Sequence, residues 1–385
     1  MYSQNHFITE KDIPVIYGTP EIIIKENTNK LIYCKTDIFA DIFFMLTRWE
    51  ENVISEKDEY GRFPEKISLS IRNGIHHRPV VNEYIEMLWK MLQFLGYSGK
   101  RKKMEFEAII THDVDGVIRY KNFYKLLKII AGDIIVRKKP GLIPSTIKEY
   151  IEVKTGVKKD NYDTFDFLMD LSEKINVKSH FYFLAQNKGS IRKASNSNYD
   201  FRYDICDPAV ISFIQNIKKR GHLVGIHGSY NSYNNYDMFT KEVENLERIT
   251  GQISESRQHY LRFMAPVTWR IGNQNRLVQD STLGFAEEIG FRCGTCYPFH
   301  VFDFVKRESL DLVETPLTVM EGAVLFITRN PDDFYSRICS MIDIVRKYNG
   351  KFVLLWHTNC FNSFEWYPYQ DYYLKIINYL GSLSN

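Results

Sequence analysis

Cysteine is scarce and unpatterned in this chain of 385 residues: six, Cys34, Cys206, Cys293, Cys296, Cys339 and Cys360, without the spacing of a disulfide framework. That excludes a small disulfide-stapled scaffold and fits a reducing compartment. Cys293 and Cys296 form one C-x-x-C with no second pair, so a tight loop near the site is expected rather than a zinc knuckle. No run reaches the roughly 18 apolar residues of a membrane span. The opening Met1-Tyr2-Ser3-Gln4-Asn5-His6 leads into charged residues, so no signal peptide is expected and the expected location is the cytoplasm. An excess of one charge is also missing, with 50 Lys and Arg against 47 Asp and Glu. No basic strip alternates with aromatics, and nucleic acid is not an expected partner. Internal repeats and low-complexity tracts are absent too.

The remaining composition is that of an ordinary globular protein, 44% hydrophobic and 25% charged. Aromatics are plentiful, with 25 Tyr and 26 Phe, and a core accounts for most of them. Residues 1–100 read as a small α+β domain. Strands are predicted at Pro20–Lys25 and Lys30–Cys34 around Asn27-Thr28-Asn29, then a helix capped by Asp37, then another from Val80 to Leu95. Ser98 to Lys103 reads as a linker. From residue 104 to 385, strand and helix patterns alternate, which predicts a mostly parallel α/β sheet; a distorted (β/α) barrel of about 250 residues fits the length. Strands are predicted at 105–111, 177–184, 223–227, 257–262, 312–315, 323–328 and 352–357. Helices are predicted at 164–174, 209–219, 236–250, 268–279 and 332–348.

Four of these strands end in chemistry. Phe106-Glu107-Ala108-Ile109-Ile110 runs into Thr111-His112-Asp113-Val114-Asp115-Gly116, where two acids at i, i+2 share one side of a strand end. Leu223-Val224-Gly225-Ile226 ends in His227, with Asn231 four residues on. Tyr260-Leu261-Arg262-Phe263-Met264-Ala265-Pro266 brings a cation and a proline. Phe352 to Trp356 is uniformly apolar and ends in His357. Carboxylate and imidazole at the rim of a parallel sheet are the ligands of zinc and similar ions.

In this order the four segments resemble the polysaccharide deacetylase family, metal-dependent carbohydrate esterases and amidases built on a distorted (β/α) barrel. The likeness runs over residues 104–385. The H-D-V-D run, Arg257–Arg262, Asp280–Phe285 and Gly290–Cys296 resemble a subfamily found with bacterial surface-polysaccharide genes. The resemblance implies removal of an N-acetyl group from a sugar by a hydrolase holding one divalent metal, Zn2+ or else Co2+, Ni2+ or Mn2+. It implies Asp113 as base, Asp115, His227 and Asn231 as metal ligands, and His357 as general acid. Arg262 would hold the base ionised, Asp280 would orient His357, and Arg292, Trp269 and Tyr230 would contact the sugar. Where the family has a second histidine this chain has Asn231, so His259 or His112 is the alternative third ligand. The inserted Val114 leaves the roles of Asp113 and Asp115 exchangeable. A non-catalytic sugar-binding homologue and a hydrolase of another C–N bond stand as alternatives.

One segment lies outside this pattern. Residues 119–159 hold eleven Lys and Arg and three acids, a net +8 in a chain whose total is +3. Phe123, Leu126, Leu127, Ile130 and Ile134 recur there at helical spacing. A basic amphipathic helix can lie on anionic lipid at the inner membrane; the alternative is a solvated helix whose apolar stripe packs on the barrel. The oligomeric state is not legible.

Overall fold

A computed structural model describes residues 13–26, 30–186, 199–200, 203–362 and 365–383. The first twelve residues and the 27–29 turn lie outside the described residues. Two strands, β1 (Gly18–Glu26) and β2 (Lys30–Thr36), pair antiparallel and pack with helices Ile38–Thr47 and Val80–Phe94. Asp37 caps the first helix, accepting from the Ala40 amide at 3.0 Å. This N-terminal unit keeps small apolar clusters of its own, one around Ile38, Tyr84 and Met87, another around Met45, Val80 and Val81.

The remaining strands are β3 (Glu107–Val114), β4 (His180–Leu184), β5 (Leu223–Gly228), β6 (Glu255–Gln258), β7 (Gln279–Asp280), β8 (Phe299–Asp303), β9 (Glu308–Glu314), β10 (Val319–Met320) and β11 (Lys351–Leu355). They form one curled sheet in the order β10-β11-β3-β4-β5-β6-β7-β9-β8, parallel throughout except for β8. Among the described residues no pairing joins β8 to β10, so the sheet is an open half-barrel rather than a closed ring. Residues 323–328, expected as a strand, lie in a helix, Glu321–Ile327. A short apolar run reads alike in either state, and tertiary burial of Ala323, Val324 and Leu325 decides it.

Side-chain alternation sorts each strand into two faces. In β3 the even positions Ala108, Ile110 and Val114 join the main core under the helices. Ile109 sits with Val353 and Leu355 in a separate cluster on the opposite, concave face. Thr111, Asp113 and Asp115 continue that odd-numbered row upward, as His357 does after Val353 and Leu355. Asp113, Asp115, His227, Arg257, His259 and His357, at or just past the strand ends, all rise from this one parity. Gly225 belongs to it as well: a Cβ there would come within 2.7 Å of the Tyr182 ring and 2.9 Å of the Glu255 carbonyl. Glycine leaves room for Tyr182, whose ring centroid lies 4.8 Å from the Arg257 guanidinium carbon.

The N-terminal unit is bonded to the sheet by buried charge. Glu51 takes both Arg48 (2.8 Å) and Arg292 (2.9 and 2.8 Å). Arg48 also donates to the Arg292 carbonyl. Burial would raise the Glu51 carboxyl, but Arg292 and Arg48 outweigh it and hold the group at about 2. Its stabilising contribution is therefore present above its ordinary 4.5 and is lost as pH falls toward about 2. Glu51→Gln leaves buried Arg292 without its ion-pair partner and Arg48 with Glu50 alone. It is expected to cost about 3–5 kcal/mol at neutral pH, read from the denaturant midpoint. A midpoint within experimental error of the parent chain would show that this cluster does not hold the two parts together.

Candidate functional site

The carboxyl ends of the parallel strands converge on a cavity of about 330 Å³. Its floor carries Asp113, Asp115, His227, His259 and His357, and its wall includes Tyr60, Arg62 and Tyr260. Three donor atoms, one each from Asp115, His227 and His259, lie within 4.8 Å of one another. Asp115 Oδ1 is 3.6 Å from His227 Nε2 and 3.4 Å from His259 Nε2. Asp115 Oδ1 and His227 Nε2 are both buried without a hydrogen-bond partner. Buried polar atoms are almost always satisfied, so two facing orphans in a carboxylate–imidazole set fit a divalent cation.

Both rings are held from behind through Nδ1. His227 Nδ1 lies 2.9 Å from the Arg257 carbonyl, and His259 Nδ1 lies 2.9 Å from Asp200 Oδ1. Each bond fixes ring orientation and leaves Nε2 for the cavity, as metal-ligating histidines require. Burial alone would raise the Asp115 carboxyl; His259, His227 and His357 reverse that and hold it well below the usual carboxylate range. Burial would lower His259, yet Asp115 and Asp200 lift it to about 9. Tyr260 and Leu261, just after His259, adopt φ of 60° and 53°. Left-handed backbone at non-glycine residues costs on the order of 1–3 kcal/mol each and clusters at functional sites.

Beside this donor set stands a buried ion pair. Asp113 Oδ1 accepts from Arg257 at 3.0 Å, and the same guanidinium donates to Thr111 Oγ1, the Ser281 carbonyl and Ser281 Oγ. Asp113 Oδ2 lies 3.6 Å from His227 Nε2. On the other side His357 turns Nε2 toward Asp115 Oδ2 at 3.8 Å, while Nδ1 meets Glu321 Oε1 at 2.5 Å. Burial would lower the His357 imidazole, but Glu321 and Asp115 push it up to about 10.

Several expected roles move to other residues. Arg262 does not reach Asp113. It lies between the rings of Tyr230 and Tyr233, with centroids at 3.9 and 4.1 Å, and donates to the Tyr230 carbonyl and Asn231 Oδ1. Arg257 meets Asp113 instead. Asn231, facing that guanidinium, stands outside the donor set, and His259 takes its place. His112 points to the opposite face, its Nδ1 at 2.8 Å from the Trp356 carbonyl, and burial lowers it to about 3. Asp280 bonds Ser256 Oγ and the Thr282 amide rather than His357, which Glu321 orients. Trp269 donates to buried Glu314, and Arg292 is spent on Glu51 and the Gly284 carbonyl, so neither lines the cavity. Tyr230 is one step removed, giving its hydroxyl to the Tyr60 carbonyl. Cys293 and Cys296 are buried, with Gly294 between them packed on Met45 and Val80; their loop serves the N-terminal unit and not the cavity.

Arg257 and His259 carry the same i, i+2 signal at a strand end as Asp113 and Asp115. Glu321 had no such signal. Nor had the wall from the N-terminal unit, where Arg62 is fixed by Asp58 at 2.7 Å and reaches the Tyr260 carbonyl, and where the Tyr60 and Tyr260 rings lie 5.2 Å apart.

Comparison with known proteins adds the following. Residues 2–97 match the model of a Family of unknown function (DUF7033). No curated protein matches the chain. Among solved structures, a candidate polysaccharide deacetylase from Mycobacterium smegmatis is similar at 14% identity, over 74% of this chain and 87% of that one, with a TM-score of 0.44. A CE4 family pseudoenzyme from Bacillus anthracis is similar at 11% identity over 72% and 62%, with a TM-score of 0.36. A mutant of that pseudoenzyme with restored enzymatic activity follows at 10% identity over 72% and 64%, with a TM-score of 0.34. Overlap at this level decides nothing about chemistry, which rests on the side chains. Among the described residues no helix is long and apolar enough to cross a membrane.

Proposed function

We propose that the chain is a metal-dependent hydrolase that removes an N-acetyl group from a sugar. The observation that carries this reading is the facing pair of orphaned donors, Asp115 Oδ1 and His227 Nε2, completed by His259 and flanked by a buried carboxylate–arginine pair and a carboxylate–histidine pair. Asp115, His227 and His259 would hold the ion. A divalent cation bound there would supply Lewis acidity toward the amide carbonyl and the attacking water. Asp113 Oδ2 takes the proton from the attacking water, and Arg257, 3.0 Å from Oδ1, aims that carboxylate. His357 Nε2 gives a proton to the departing amine, with Glu321 holding Nδ1. The amide C–N bond breaks, leaving acetate and a free amino sugar. Tyr60 and Tyr260 offer aromatic faces at the wall where a pyranose ring can lie.

The non-catalytic alternative drew on the missing second histidine, and His259, just past the end of β6, fills that gap. The experiment is acetate release from N-acetylated sugars by chain stripped with chelator and reloaded with Zn2+, Co2+, Ni2+ or Mn2+. Activity is expected only on reloading, with one ion per chain. His227→Ala is expected to remain folded and lose stoichiometric metal; full occupancy in that variant would remove His227 from the ligand set. Metal binding without acetate release from any sugar would leave a binding protein and sink the hydrolase reading.

A further inference from the structure

The basic segment takes no part in this chemistry, and its shape is not that of a surface helix in water. It folds into two helices, Phe123–Ile135 and Ile143–Lys154, tied together by buried Asp133, which accepts from Arg137 and from Thr146 Oγ1. Asn161 donates to the Asn362 carbonyl at 2.7 Å, and Tyr367 reaches Glu149 at 3.3 Å. Those contacts seat the hairpin beside the loop that follows His357. A solvent-facing helix normally buries its apolar stripe. Here only Leu126 and Asp133 of the first helix are buried, and the apolar stripe faces out. Phe123 is 61% exposed, Leu127 48%, Ile134 48% and Ile135 72%, and Val136 just beyond is 80% exposed. Ile147 and Ile151, one turn apart on the second helix, are exposed as well.

We propose that this hairpin is a docking surface for an anionic lipid bilayer. An outward apolar row inserts at the headgroup–acyl boundary, and exposed lysines of the same helix, Lys125 and Lys128 among them, meet the lipid phosphates. Charge decides the occupant. A second copy would bring one basic segment against another, and a nucleic acid would leave the apolar row unused. The docking does not rest on the hydrolytic reading; joined to it, it names the substrate class as an N-acetylated sugar carried on a lipid.

The test is flotation of the full chain with phosphatidylcholine vesicles, with and without phosphatidylglycerol, at low and high salt. Binding is expected to the anionic vesicles only, and to fall as salt rises. Lys125→Glu with Lys128→Glu is expected to weaken it by about fivefold or more per lysine. Phe123→Ser with Ile135→Ser, both at exposed positions, is expected to abolish it with an unchanged melting temperature. His227→Ala is expected to float like the parent, so loss of the metal site and loss of docking are read separately. Equal binding to neutral vesicles overturns the proposal, as does no binding at low salt. Dimers that the serine variant dissolves would overturn it too, by naming a second copy as the occupant.

Discussion

Asp113→Asn is expected to keep its metal and lose its turnover, with kcat lower by about 10²–10⁴-fold. The choice of asparagine matters. Asp113 is buried against Arg257, and truncation to alanine would leave that guanidinium unpaired at a cost of about 3–5 kcal/mol, confounding chemistry with folding. Asparagine still accepts from Arg257 through its Oδ1 and fills the same space, but it cannot take a proton. Asp115→Asn is the contrasting variant, because its carboxylate faces three imidazoles and its loss is expected to empty the metal site. Metal content by elemental analysis, read beside single-turnover acetate release, separates the two acids that the inserted Val114 left exchangeable. An Asp113→Asn chain turning over within about tenfold of the parent would remove Asp113 as the base.

The legible half of this site follows from strand parity. Asp113, Asp115, His227 and His357 each end or follow a strand whose apolar residues announce it, and alternation then fixes which neighbours share the concave face. Arg257 and His259 obey the same rule, but β6 announces itself poorly. Its residues Glu255-Ser256-Arg257-Gln258 include no hydrophobe, so the motif-bearing Arg262 drew the role that Arg257 occupies. Glu321 was hidden for another reason. Val324-Leu325-Phe326-Ile327 reads as a strand, and only tertiary burial turns it into the helix that sets Glu321 under His357. Tyr60 and Arg62 reach the cavity across a chain separation of about 200 residues, as in the Arg62–Tyr260 contact, and no local pattern encodes such a meeting. The hairpin illustrates the remaining limit. Periodicity located its apolar stripe, but exposure alone says which way the stripe faces.

His357→Ala is expected to lower kcat by about 10²–10⁴-fold while leaving metal content intact, because His357 lies outside the donor set. Glu321→Gln probes how that histidine is tuned. Burial works against the imidazolium, and the Glu321 carboxylate at 2.5 Å is the main charge sustaining it. An acid must be protonated to act, so activity is lost as pH rises through the His357 pKa. Glutamine keeps an acceptor for Nδ1 but removes the charge, so the pKa falls. The descending alkaline limb of the rate profile is therefore expected to move to lower pH, and the acid limb to stay. If Glu321 served only as packing, kcat would fall evenly at every pH with both limbs fixed. If His357→Ala kept the parent kcat across roughly pH 6–8, the histidine would not be the acid at all. The leaving amine would then have to take its proton from another group at the cavity, with Tyr260 the next donor along the wall.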